Sequence, residues 1–164
     1  MEDINKNVYL YKNFMANDDT KYYIKCIKNK YARVGDIEDF YTRTIDISQD
    51  PIVDRVKQFI ESQLPVKLNC SQAQIQIWPE GSKSELHRHD YNGREDGDFN
   101  SLIYLNDDFD DGEFITEFLK YKPEVGTLTF FNGRENYHGV AEVKKAHRFT
   151  LIFWWQNTTI QKSK

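Results

Sequence analysis

Gln72-Ala73-Gln74-Ile75-Gln76-Ile77-Trp78 alternates without a fault. In a strand successive side chains point to opposite faces, so the glutamines and Trp78 share one side and Ala73, Ile75 and Ile77 the other. The apolar side is a core face. A row of glutamines ending in tryptophan suits the wall of a wet pocket better than a core. The same alternation returns over His147–Trp155. There Arg148, Thr150, Ile152 and Trp154 share one face, and His147, Phe149, Leu151, Phe153 and Trp155 the other. Between these two stretches, Phe99–Leu105, Glu113–Leu119, Gly126–Phe131 and Tyr137–Glu142 read as further strands. Turn signals separate them at Pro79–Ser82, Asn106–Gly112, Lys122–Pro123 and Asn132–Asn136. Many short strands at regular spacing, with turns between them, predict a mainly β sandwich or barrel.

Upstream of about residue 71 the pattern is that of a support. Val8–Tyr11 reads as a short strand. Asn17 or Asp18 can cap a helix over Asp18–Lys30, with Tyr22, Tyr23, Cys26 and Ile27 along one stripe. Pro51 opens a helix over Pro51–Gln63, because proline's missing N–H costs nothing at the first helical position. Ile52, Val56, Phe59 and Ile60 give that helix one apolar face. Residues 31–47 are ambiguous, with a weak strand pattern over Phe40–Ile45. The two helices are expected on the outside of one sheet.

The chain has 164 residues, one domain's worth: a support region over about 1–70 and a β core over about 71–157. A net charge of −4 gives no general field for nucleic acid. Cys26 and Cys70 form no CxxC motif, which suggests a reducing compartment and a cytoplasmic location. No apolar run approaches the ~20 residues of a membrane span. Met1–Lys6 lacks the apolar core of a signal peptide.

The chemistry gathers at Leu86-His87-Arg88-His89-Asp90. Histidines at i and i+2 of a strand project to one face, so His87 and His89 can grip one ion together. His138, at the start of a later strand, supplies a distant third ligand. Two ligands plus a distant third leave coordination positions open for a co-substrate. Arg148 and Thr150, two apart on an inward face, can clamp a carboxylate through the guanidinium fork and a hydroxyl. A buried arginine between apolar neighbours needs an anion.

These pieces together resemble a known family, the Fe(II)- and 2-oxoglutarate-dependent dioxygenases, in the prolyl-hydroxylase-like branch. The resemblance is carried by Ile77-Trp78-Pro79-Glu80-Gly81, His87-Arg88-His89, Ile103 to Phe109 followed by Asp111-Gly112-Glu113, Lys122-Pro123, Phe130-Phe131, His138-Gly139-Val140, and Arg148-Phe149-Thr150 with Trp154. It implies a double-stranded β-helix, a cupin-like jelly roll, with iron near its mouth and His138 as the distal ligand. It implies that Arg148, helped by Thr150 and the Tyr104 hydroxyl, holds the far carboxylate of 2-oxoglutarate, with Trp78, Gln76 and Gln74 lining the pocket. The reaction implied is decarboxylation of 2-oxoglutarate to succinate with O2, coupled to hydroxylation of a C–H bond in a protein, peptide or small molecule.

The metal motif departs from the family's pattern. The family writes His-x-Asp or His-x-Glu, and this chain has His-x-His followed by Asp90. Three arrangements follow. His87, His89 and His138 form an all-histidine site, the arrangement preferred here. A strand bulge turns Asp90 inward and restores a carboxylate. One side chain alone binds, and the protein is a metal-binding jelly roll without oxygenase activity. The loop Tyr91–Asp98 and the acidic turn Asp107–Asp111 are expected to flank the mouth, the turn favouring a basic substrate.

Overall fold

The computed structural model describes residues 1–5, 7–31, 43–89 and 99–159. Thirteen strands and two helices are present among them: β1 Glu2–Asn5, β2 Val8–Tyr11, α1 Asn17–Lys30, β3 Arg43–Asp46, α2 Ile52–Gln63, β4 Leu68–Trp78, β5 Ser84–His87, β6 Phe99–Tyr104, β7 Asp110–Asp111, β8 Phe114–Thr116, β9 Lys120–Tyr121, β10 Leu128–Phe131, β11 His138–Val140, β12 Val143–Lys144 and β13 Arg148–Asn157. Seven strands form the larger sheet in the order β1-β2-β10-β6-β13-β4-β3. Four more form a smaller sheet, β5-β11-β8-β9, and β12 pairs with β7 in a separate ribbon. The pairings recorded are antiparallel. This is the double-stranded β-helix that the strand spacing and the family resemblance led us to expect.

Strict alternation gives the larger sheet two unlike faces. Register places Phe153 opposite Ala73 and Ser101, and Leu151 opposite Ile75 and Ile103. That face packs on the helices in a core that includes Ile27, Val56, Ile60, Ile75, Leu151 and Trp155. The other face carries Trp78 opposite Arg148, and Thr150 opposite both Gln76 and Tyr104. The smaller sheet covers part of it, where Phe114 packs with Val8, Leu102, Tyr104 and Phe131.

The helices follow their local sequence, with two corrections. Asp50 Oδ1 accepts the Ile52 amide and the Tyr23 hydroxyl, both at 2.9 Å, so it holds the start of α2 and ties α1 to it. Pro51 is the N-cap of α2 rather than its first helical residue. For α1 the N-cap is Ala16, with no side-chain bond, rather than Asn17 or Asp18. Asp18 and Asp19 in its first turn and Lys28 and Lys30 in its last complement the helix dipole instead. Its buried stripe is Thr20, Tyr23 and Ile27, while Tyr22 is 58% exposed.

The strand expected over Glu113–Leu119 is a tight hairpin. β8 stops at Thr116, whose side-chain oxygen accepts the Phe118 amide and whose own amide bonds Leu119 O, and β9 returns at once. Of the weak strand over Phe40–Ile45, Arg43–Ile45 lie in β3, and residues 40–42 fall outside the described residues.

Candidate metal centre and anion cradle

β5 and β11 set two of the three histidines face to face. His138 pairs with His87, and two residues on, Val140 pairs with Ser84, so β5 carries an extra residue in a bulge at Glu85–Leu86. The bulge re-aims a side chain, as bulges do. It lies immediately before His87. Gly139 allows the approach: a Cβ there would stand 2.5 Å from Ser84 O and 2.9 Å from Glu85 O. β5 ends at His87, so His89 does not ride the strand as expected. Its amide is held by Gly133 O at 2.8 Å, and the ring still turns toward the other two.

Ring centres lie 4.5 Å apart for His87 and His138, 4.8 Å for His89 and His138, and 5.6 Å for His87 and His89. One nitrogen from each ring falls within 4.8 Å of the others, close enough to share a single ion. Asp90, the rival ligand, and the loop Tyr91–Asp98 lie outside the described residues. His147 is turned away, its Nδ1 accepting the Glu80 amide at 3.0 Å.

The rings are oriented from behind. His87 Nδ1 lies 2.9 Å from Glu85 O, and His138 Nδ1 lies 2.9 Å from Asn136 O. A carbonyl only accepts, so Nδ1 carries the proton in each, and the Nε2 lone pair is left for a metal. Burial, reinforced by repulsion from His89 and His87, pushes the His138 pKa down to about 4 against the pull of the Asn136 bond. At neutral pH it is the neutral imidazole that a metal requires.

Arg148 lines the same cavity of about 220 Å³, together with Gln76, Trp78, Trp154 and the three histidines. Its side chain is 1% exposed, and neither Nε nor Nη2 has an acceptor among the described residues. The Tyr104 ring sits 5.2 Å from the guanidinium carbon and the Trp78 ring 5.8 Å. Burial disfavours the arginine's charge and lowers its pKa, and Tyr104 opposes that shift. Burial raises the Tyr104 pKa, with Arg148 and Thr129 opposing. Those groups lie close enough to act on one another, yet no formed hydrogen bond joins them. The Tyr104, Thr129 and Thr150 hydroxyls are all buried and have no partner among the described residues. Unpaired buried donors cost roughly 1–3 kcal/mol each, and more when charged. Four such residues on one patch are matched by a carboxylate, whose oxygens accept from all of them.

Trp78 and Gln76 line the cavity as expected, and Gln74 is linked through them: Trp78 Nε1 donates to Gln76 Oε1 at 3.2 Å, and Gln76 Nε2 reaches Gln74 Oε1 at 3.5 Å. Tyr104 and Thr150, paired across β6 and β13 on the face that carries Arg148, are fully buried and are not among the residues lining the open part. Thr129 escaped the sequence reading, although the period of Gly126–Phe131 places it on the pocket face beside Phe131. The acidic turn Asp107–Asp111 does not border the cavity. Asp111 pairs with Lys144 at 2.8 Å and Asp110 with Lys145 at 2.6 Å, so its charge is spent on the β7–β12 ribbon.

A β-helix with three imidazoles at its mouth and an orphaned cation in the same cavity is the architecture of a metal-dependent enzyme that takes an anionic co-substrate. Residues 73–156 match the 2OG-Fe(II) oxygenase superfamily, and the chain belongs to that family. Among solved structures, it superposes on a viral collagen prolyl hydroxylase from Paramecium Bursaria Chlorella virus-1 with a TM-score of 0.73 and 18% identity, covering 92% of this chain and 95% of that one. A prolyl-4-hydroxylase from Pseudomonas putida gives 0.66 and 15%, covering 92% of each. By sequence, the chain is 39% identical to mouse prolyl 3-hydroxylase 2 over 66 residues, 35% of this chain. It spans only 9% of that relative's length.

Proposed function

We propose that the protein is a 2-oxoglutarate-dependent hydroxylase whose metal is held by His87, His89 and His138. The observation that carries this reading is the cavity itself, where the histidine triad and the acceptor-starved Arg148 open onto one space. The residues present fit both groups: three imidazoles for iron(II), and a buried guanidinium with three hydroxyls for a dicarboxylate. Iron(II) held there would activate O2, with 2-oxoglutarate giving two electrons on decarboxylation, so that one oxygen atom enters the co-acid and the other a substrate C–H bond.

The chain's own residues bind, orient and shield. Glu85 O and Asn136 O hold two imidazoles in the metal-binding tautomer. Arg148, Thr150 and Tyr104 fix the far carboxylate of 2-oxoglutarate, and Thr129 adds a hydroxyl. Trp78, pinned by Gln76, walls the co-acid beside Arg148. Phe131 and Phe114 pack against the His138 ring, with centroids 4.8 and 6.5 Å away, and keep water off that side. On the far side, Trp154 and Ile152 offer apolar surface to a substrate. Similarity to prolyl hydroxylases supports a prolyl or other peptidyl residue as that substrate. We take residues 1–164 as one domain, since the described helices and strands share one core. The free Cys26 and Cys70 suit a reducing compartment such as the cytoplasm. No described helix is long and apolar enough to cross a membrane.

The test is anaerobic calorimetry with Fe(II) or Mn(II), then 2-oxoglutarate, followed by succinate release in air. His138→Ala should abolish metal binding. Arg148→Ala should keep the metal and lose the co-acid. Asp90→Ala should be mild and His89→Ala severe. The reverse order would restore a carboxylate to the site, and an unaffected His138→Ala would defeat the centre.

A further inference from the structure

Two of the three histidines have a visible reason for presenting Nε2. Beside Nδ1 of the third, His89, stands the side chain of Asn100. Its side chain is 1% exposed, lines the cavity, and leaves Oδ1 without a partner among the described residues. Register fixes its direction: Asn100 lies opposite Trp154 and Phe131, on the pocket face. The amide's orientation is also fixed. Asn100 Nδ2 donates to Phe153 O at 3.4 Å, and since that carbonyl only accepts, the NH2 must lie on its side and Oδ1 on the other.

Oδ1 and His89 Nδ1 crowd one point. A Cβ placed on Gly133 would stand 2.4 Å from Asn100 Oδ1, 2.8 Å from His89 Nδ1 and 3.2 Å from His89 Cε1. Only a residue without a side chain lets the carbonyl oxygen and the ring edge share that space. The backbone keeps them there, because Gly133 O holds the His89 amide. Buried acceptors are rarely left unused, and an acceptor beside Nδ1 favours the tautomer with its proton on Nδ1. Ligating histidines regularly rely on such a group behind the ring, and its loss typically costs 10–100-fold in metal affinity.

We propose that Asn100 is a positioning residue for the metal centre: its Oδ1 accepts the Nδ1 proton of His89, so that His89 offers Nε2 as the third ligand. This rests on the all-histidine reading of the site. It also gives a physical account of how histidine works where the family writes a carboxylate. An anionic ligand needs no tautomer control, whereas an imidazole does.

The experiment is a double-mutant cycle in the full chain, read as Co(II) or Mn(II) affinity under anaerobic conditions, alongside nitrogen NMR of the histidine tautomers in the metal-free protein. Asn100→Leu, close in volume and unable to accept, should weaken the metal about 10–100-fold and move His89 toward the Nε2–H tautomer, leaving His87 and His138 unchanged. Asn100→Asp, which keeps the acceptor, should restore most of the affinity. In a His89→Ala background, Asn100→Leu should add nothing. If Asn100→Leu does not fold, Asn100→Ala carries the same expectations. Equal losses from the Asn100 change with and without His89 would make the role merely structural and overturn the proposal. An unshifted His89 tautomer would overturn it as well. A His89→Ala variant with full metal affinity would instead remove the all-histidine reading beneath it.

Discussion

The two faces of the larger sheet are made by the same strands, and they are opposites. On the helix side, Ile75, Ile103, Leu151, Phe153 and Trp155 are 0–1% exposed, and the polar group among them, Ser101, accepts the Trp155 indole N–H at 2.8 Å. On the cavity side, Tyr104, Thr129, Arg148 and Thr150 are also 0–1% exposed, and each keeps at least one polar atom without a partner. One face has its interactions complete within the chain, and the other is complete only with something added. Stability and function are thus separated by the side-chain period of a strand, one residue apart.

The comparison breaks if a change on the helix side fails to destabilise. Trp155 is fully buried, stacked on Phe153 with ring centroids 5.7 Å apart, and bonded to Ser101. Trp155→Ala should cost about 3–5 kcal/mol in urea unfolding, through the cavity it leaves and the hydroxyl it orphans. Metal and 2-oxoglutarate affinities of the fraction still folded should be unchanged. A loss below about 1 kcal/mol would show that this face is not the seat of stability.

Seven residues earlier in the same strand, on the other face, the expected sign reverses. Arg148→Met removes a buried charge that has no acceptor for Nε or Nη2. Affinity for 2-oxoglutarate should fall by about 2–5 kcal/mol, the cost of truncating one partner of a buried charged pair. The metal-free, co-acid-free protein should gain about 1–3 kcal/mol, because an apolar side chain replaces an uncompensated ion. A variant that binds 2-oxoglutarate normally, or unfolds more easily than the parent, would erase the distinction between the faces.

Sequence made the faces legible and some of the edges illegible. Gln72–Trp78 and His147–Trp155 were readable because alternation is a direct consequence of strand geometry. β4 nevertheless begins at Leu68, since its pairing skips Ser71, opposite the step from Trp154 to Trp155, and a one-residue skip cancels the period that marks a strand. β1 and the two-residue strands of the ribbon have no apolar pattern, because edge strands need none. In the site, His87, His89, His138 and Arg148 stood out because few residue types do their chemistry. Thr129 and Asn100 did not, because a threonine or asparagine in a strand becomes informative only when its missing partner is seen. The acidic turn misled for a related reason: its partners, Lys144 and Lys145, lie more than thirty positions away.

The cavity face should also report acid. His138 is held near a pKa of about 4, chiefly by burial, against an ordinary value of 6.5. Between those values the unfolded chain binds the extra proton and the folded one does not, so protonation favours unfolding. The metal-free protein should therefore keep this contribution in full above pH 6.5 and lose roughly 3 kcal/mol as pH falls to 4. Urea midpoints of chelated protein at pH 7 and pH 4.5, compared with His138→Phe, measure it. The variant should show a shallower decline, and an identical slope in both would assign acid sensitivity elsewhere.

The finest test concerns a neutral group on the cavity face. Gln76 accepts the Trp78 indole N–H at 3.2 Å, and the Trp78 ring lies 5.8 Å from the Arg148 guanidinium carbon. Gln76→Leu keeps the volume and removes the acceptor, so Trp78 is freed to turn away from the arginine. One neutral hydrogen bond contributes about 1 kcal/mol, so 2-oxoglutarate affinity should fall only about five-fold. Metal affinity should be unchanged, because Gln76 touches no histidine. Folding stability should stay level or rise slightly, since a partly exposed polar group becomes apolar. Gln74→Leu, whose side-chain oxygen meets Gln76 Nε2 at a long 3.5 Å, should alter neither. If Gln76→Leu destabilised the fold while leaving 2-oxoglutarate binding intact, the glutamine row would belong to the structural side, and the division between the two faces would run through the middle of β4 rather than across its plane.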